Sequence, residues 1–344
     1  MRQLTLTFFL TLSFVFWPIA AARALETDQF TVPDKPLPDL SMDLDLKIDL
    51  DLRVLINDAN DHLAQGGHEA QKYRENDYFA LALDKMYANG IPECTIERWI
   101  RYTDFGKPDA RFDVGILSSV YGRALIGRPI TLFTLAPTIN LYGHYVGTDK
   151  VGHFFQQGYE YYETFRKSQL AGKTDQDAVH DAVLRGIAQE QGIYGMFIVD
   201  VYSNADLSAN IAGFMFYRNL TQLVRLPDGT VLLPMLVLRN GRWELNAMAG
   251  DHHLKAYVCD NWDESMNPCD YAPMLRHIVQ DNLRDLGARW VAFHHTTRER
   301  ETQRLAEMTT WHGIHYGHSD SKELVTIVNH YYDVVDHTAF ASKR

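Results

Sequence analysis

Cysteine is scarce in this 344-residue chain, which has only Cys94, Cys259 and Cys269. A disulfide framework needs several pairs, and none of the three stands in the C-x-x-C spacing of a zinc ribbon, so both kinds of staple are excluded. Basic charge is in deficit too. Lys and Arg number 33 against 44 Asp and Glu, a net charge of −11. Nonspecific nucleic-acid binding rests on neutralising phosphates with cations, so nucleic acid is not an expected partner. Beyond the N-terminus there is no long unbroken apolar run. The stretch 114–142 is apolar but interrupted by Arg123, Arg128 and Pro129, and neither it nor 193–217 is an uninterrupted apolar run of spanning length, so neither is expected to cross a membrane as a simple helix. No G-x-S-x-G elbow, phosphate-binding Walker loop or dinucleotide glycine fingerprint occurs, which disfavours the enzyme classes built on them. Nor is there a repeat at a solenoid period.

What the chain does have is enough apolar material for a sizeable core, 46% of its residues. Part of it lies in a leader. Arg2 precedes an apolar run, Leu4 to Trp17, and small residues follow up to Ala22-Arg23-Ala24, the pattern of a secretory signal peptide over residues 1–24 with Leu25 as the expected mature start. No cysteine follows that run, so lipoprotein processing is not expected. Export implies an oxidising compartment, most simply the periplasm, where Cys259 and Cys269, flanking a short loop, are the expected disulfide pair.

Residues 25–52 read as an acidic extended arm with Pro33, Pro36 and Pro38 at its front. From Met42 to Val54 apolar residues alternate with mostly charged ones, the period of a half-buried strand, with an acidic lead into a helix over 53–65 as the competing reading. Residues 53–344 read as a single mainly α domain, a helical bundle with a small β-hairpin insertion at about 230–248. Helices are expected over 68–89, 94–103 and 273–294. Thr174-x-x-Asp177 opens one over 175–199, and Asp320-x-x-Glu323 opens the last. The hairpin expectation rests on Val231–Leu238 and Trp243–Met248 around Asn240-Gly241, residues that tolerate positive φ.

The densest polar pattern inside apolar sequence is Gly147-Thr148-Asp149-Lys150-Val151-Gly152-His153 and its continuation to Glu160. If Thr148 opens a helix, Asp149, His153, Gln156, Gln157 and Glu160 form one stripe. A second stripe holds Asp206, Asn210 and Gly213, and Glu190 lies between the two in sequence. A lysine, an imidazole and several carboxylates converging between helices would tune one another for acid–base work or hold a metal. The structural alternative is equally direct. Ser203-x-x-Asp206 is itself a capping box, Asp149 in a first helical turn suits the helix dipole, and His153 donating to Asp149 would be a satisfied core histidine.

Asp149-Lys150-x-x-His153-Phe154, then Glu190, then Asp206-x-x-x-Asn210-x-x-Gly213, resembles the VanZ-like family and related envelope proteins with a D-K-x-x-H-F signature, over about residues 145–217. The resemblance implies a helical bundle in the cell envelope with a shared polar centre, whose signature residues would be Asp149, Lys150, His153, Glu190, Asp206, Asn210 and Gly213. The chain departs from the family in its more polar, broken helices and in lacking the arginine that usually precedes the second aspartate.

A second constellation is C-terminal. His312, His315 and His318 with Asp320 are chemically sufficient ligands for Zn²⁺, although their spacing matches no metalloprotease signature. Two function classes follow from these residues. One is a noncatalytic envelope protein with a buried Asp/His/Glu/Asn cluster. The other is a metal-assisted or acid–base hydrolase acting on a cell-envelope component, with Asp149, Lys150, His153, Glu190, Asp206 and Asn210 as its candidate catalytic residues.

Overall fold

The computed structural model describes residues 27–90, 93–122, 135–192, 195–196 and 200–336, without the side chains of 309–312 and 314. The leader and the Leu25 start lie outside the described residues. The fold is mainly α, with small antiparallel strand pairs, as the sequence predicts.

The acidic arm is the main correction. Only residues 27–40 are non-helical, and Ser41–Gln65 is one helix, α1. The alternating pattern misleads because a period of two contains a period of four. Leu44, Ile48 and Leu52 continue through Leu55, Ile56 and Ala59 as a buried helical stripe, while Met42, Leu46, Leu50 and Val54 are left exposed. Leucine's helix propensity and the long buried stripe prevail over the alternation. One acid on that stripe, Asp45, is buried and satisfied: it accepts from Tyr142 Oη at 2.7 Å and lies 3.1 Å from His252 Nδ1.

Two shorter helices follow, α2 (Asn76–Tyr87) and α3 (Thr95–Tyr102), with a 3₁₀ segment (His68–Arg74) occupying the front of the expected first one. A hairpin of β1 (Thr138–Leu141) and β2 (His144–Gly147) leads directly into α4 (Thr148–Leu170). Helix α5 (Asp175–Gln191) is capped by Thr174, whose side chain accepts from the Asp177 amide, and it stops at Gly192, short of the expected 199. Strand β3 (Val201–Ser203) opens α6 (Asn204–Asn219). The expected first strand of the hairpin is split: β4 (Val224–Arg225), upstream of the predicted region, pairs with β5 (Val231–Leu232), and the expected hairpin forms as β6 (Leu236–Arg239) with β7 (Arg242–Leu245). Asn240 and Gly241 turn the second pair at φ 50° and 78°.

Strand β8 (Cys269–Tyr271) pairs with β3 and precedes α7 (Pro273–His294), which buries Val279, Leu283 and Trp290. Helix α8 (Arg298–His312) follows. The final helix is opened not at Asp320 but at Thr326 and Asn329. Their side chains exchange bonds with each other's amides at 2.8 and 3.1 Å, a reciprocal cap.

Helices α4 and α6 pack along each other, with α3 and α5 against α4. The apolar core forms two clusters. One is built on α1, α2, α4 and α6, and the other joins Phe30 and Val32 to Val201, Tyr271 and the α7 face. Among the described residues no helix is long and apolar enough to cross a membrane.

Candidate functional site

The polar stripes of α4 and α6 meet toward their N-terminal ends. Lys150 is at the centre and fully buried. Its Nζ donates to Asp149 Oδ2 at 2.6 Å, to Asp206 Oδ1 and to Glu264 Oε1. Three carboxylates from α4, α6 and the 260–268 loop therefore share one ammonium, an arrangement that compensates the large cost of burying the charge.

Local sequence explains how each group is aimed. Gly147, just before α4, leaves room that a side chain would fill: a Cβ there would stand 1.8 Å from Thr27 Oγ1 and 2.0 Å from Asp149 Oδ1. That space lets Thr27 donate to Asp149 across the chain. Ser203 caps α6 by accepting from the Asp206 amide at 3.2 Å. The predicted capping box thus exists. The Asp206 carboxylate, however, does not serve the helix end; it turns to Lys150 and, through Oδ2, to His153 Nε2 at 3.2 Å. His153 is paired with Asp206 rather than with the expected Asp149. On its other side His153 Nδ1 lies 3.2 Å from Asn210 Oδ1. An amide oxygen only accepts, so Nδ1 carries the proton and Nε2 is the nitrogen aimed at Asp206.

Glu190, at the end of α5, completes the group. It is 1% exposed, and its Oε2 has no hydrogen-bond partner among the described residues. One ligand atom from each of His153, Glu190 and Asp206 lies within 4.8 Å of the others, and the same holds for Asp149, Asp206 and Glu264. Both triads are buried His/Asp/Glu groups able to hold a metal ion. The second already surrounds the Lys150 ammonium.

Carboxylates outnumber cations here, and their proton affinities respond. Burial, then the Asp206 charge, raises Glu190 well above the usual carboxylate range. Burial pushes Glu264 up to about 7 against the pull of Lys150. Burial also acts upward on Asp206, but the charges of His153 and Lys150 outweigh it and hold that carboxyl below its ordinary value. The neighbouring charges thus favour the ionised form of Asp206, while burial favours the neutral forms of Glu190 and Glu264.

Sequence reasoning found Asp149, Lys150, His153, Glu190, Asp206 and Asn210, and the structure brings these six together. The rest of the predicted stripe diverges: Glu160 leaves the cluster to pair with Arg185 of α5 at 2.8 Å. Glu264 was missed. It lies in a loop whose residues from Asn261 to Asn267 are all buried, and Tyr121 Oη and Ser203 Oγ also reach it, at 3.4 and 3.3 Å. Glu97 of α3 was missed as well; burial, then Asp149 and Glu93, pushes it up to about 8. The one available signal was the acid pair Asp263-Glu264 set among apolar Trp262 and Met266.

The C-terminal zinc expectation is not assembled among the described residues. His318 is buried and pushed down to about 4 by burial, whereas His315 and Asp320 are exposed. The His312 side chain lies outside the described residues. Cys259 and Cys269 are thiols, not the expected disulfide; Cys269 Sγ donates to Asn267 O at 3.8 Å.

Comparison with family profiles, with curated proteins and with solved structures finds no match.

Proposed function

We propose that this chain is an exported, noncatalytic cell-envelope protein of VanZ-like kind, in which the Lys150 centre fastens the helical core. The observation that carries the reading is the fully buried Lys150 ammonium bound to carboxylates of α4, α6 and the 260–268 loop. Such a hub fixes the relative placement of three elements that apolar packing alone would let slide. Support for the family relation comes from the D-K-x-x-H-F residues contacting Asp206 and Asn210 of the second motif. A surface cavity of about 290 Å³ is lined by Asn219, His252, His253 and Tyr257. Asn219 is at the opposite end of α6 from Asp206, about 20 Å away at the helical rise, so this cavity does not serve the centre.

The test is Lys150→Met. Removing the cation leaves three buried carboxylates facing one another, a loss of about 3–5 kcal/mol for a broken buried pair, and a melting temperature lower by on the order of 10 °C. Asp149→Ala is expected to lower it as well. Wild-type melting of both variants overturns the reading.

A second reading, a metal-assisted or acid–base hydrolase acting on an envelope component, is favoured by one observation: among the described residues the buried oxygens Glu190 Oε2 and Asp206 Oδ2, beside the His153 ring, make no hydrogen bond. In that reading His153→Ala abolishes the activity of a protein that still folds. Unchanged activity removes it.

A further inference from the structure

The centre divides into two halves of different character. In one, Asp149, Asp206 and Glu264 converge on the Lys150 ammonium, so a cation already occupies that triad. In the other, His153, Glu190 and Asp206 converge on one another, with Asp206 shared between the two halves. Buried polar atoms are almost always satisfied, yet among the described residues Glu190 Oε2 has no hydrogen-bond partner, and Asp206 Oδ2 faces His153 Nε2 at 3.2 Å without a hydrogen bond.

We infer that His153, Glu190 and Asp206 form a binding site for one divalent cation of the zinc type, with Asn210 as its positioning residue. Three features support this. The donor set, one imidazole and two carboxylates, is the borderline nitrogen and oxygen set that Zn²⁺ accepts. The His153 Nε2 to Asp206 Oδ2 distance of 3.2 Å is close to the spacing of two ligands on a tetrahedral zinc, about 3.3 Å from bond lengths near 2.0 Å. Asn210 Oδ1 accepts a hydrogen bond from His153 Nδ1–H, which leaves Nε2 as the nitrogen that would ligate a metal, the outer-shell arrangement that orients metal-binding histidines.

The residues come from three helices. His153 and Asp206 approach through the α4–α6 packing, and Glu190 enters from the end of α5, whose backbone carbonyl also accepts from the Met196 amide at 2.7 Å. A cation here would tie α5 to the pair that Lys150 already joins, and it would leave a coordination position for water or a ligand. The inference goes beyond the fastening role of Lys150, and the two are tested by different substitutions.

The experiment uses the full-length mature protein without an affinity tag, stripped by a chelator and titrated with Zn²⁺, with Co²⁺ as a spectroscopic substitute. The expected result is one equivalent of tightly bound Zn²⁺, a rise in melting temperature on loading, and visible absorption of the Co²⁺ form. His153→Ala and the near-isosteric Glu190→Gln each remove the stoichiometric site while circular dichroism stays that of the wild type. Asn210→Ala retains the site with affinity lower by about 10–100-fold. No stoichiometric binding by the wild type overturns the inference, and so does full stoichiometry in both His153→Ala and Glu190→Gln, which would place the metal elsewhere. Should either variant fail to fold, the Co²⁺ spectrum of wild type against Asn210→Ala decides, since an identical spectrum and affinity reject the site. Neither failure touches the Lys150→Met result.

Discussion

Gly158 of α4 and Gly213 of α6 meet backbone to backbone. A Cβ on Gly158 would stand 2.7 Å from the Gly213 Cα, and one on Gly213 would stand 1.8 Å from the Phe154 carbonyl oxygen. This contact sets how closely the two helices approach, and that approach is what brings His153 within reach of Asp206 and Asn210, a turn or two nearer the helix starts. Gly213→Ala forces a methyl group into backbone, where no side chain can yield. The expected cost is at least the 1–3 kcal/mol of ordinary overpacking, a fall in melting temperature of about 2–4 °C for each kcal/mol. Thermal unfolding checks it, and an unchanged midpoint would mean that the helices do not cross at these glycines.

Glu97 supplies the pH prediction. Burial, then the neighbouring acids Asp149 and Glu93, holds its carboxyl up to about 8 against an ordinary 4.5. A carboxyl whose proton affinity is higher in the folded than in the unfolded chain favours folding below the unfolded value. That contribution is lost progressively as pH rises through the window from 4.5 to about 8. Asp28, pushed up to about 6 by burial, acts in the same direction over a narrower window. Stability is therefore expected to decline between pH 5 and pH 8.5, and Glu97→Gln, which cannot ionise, is expected to flatten that decline. Melting curves across this range for the two proteins are the measurement; parallel curves would contradict the assignment.

Three thiols are expected where export alone would predict a bridge. Burial pushes the Cys94 and Cys259 thiols up to about 12, which keeps them protonated and slow to react in the folded state. Alkylation of the native protein should therefore be slow, and alkylation in denaturant without reductant should add three groups by intact mass. A mass corresponding to one added group would reveal a Cys259–Cys269 disulfide. The melting temperature is likewise expected to be insensitive to reducing agent.

Much of the candidate site is legible in sequence because its members are local. Asp149, Lys150 and His153 follow one another within a turn of a single helix, and Ser203, Asp206 and Asn210 within two turns of another, so helical spacing alone groups them. The Asn240-Gly241 turn and the Thr174 cap are legible for the same reason: each is a transaction between residues two or three apart. The helix over 41–65 was harder, since one apolar alternation serves two periods and only the partner surface selects between them.

The composition and local spacing establish a mainly helical chain with a basic residue and several acids embedded in apolar helices. Which acids neutralise that lysine is not a local property. Its three partners lie 1, 56 and 114 residues away, and only the first is visible as a neighbour. Glu264 enters from a buried loop with no periodicity, and Asp206 reaches Lys150 only because α4 and α6 touch at two glycines. The close crossing and the buried loop come from packing, and packing, through desolvation and proximity, holds the Asp206 carboxyl below its ordinary value and raises Glu190 well above its own.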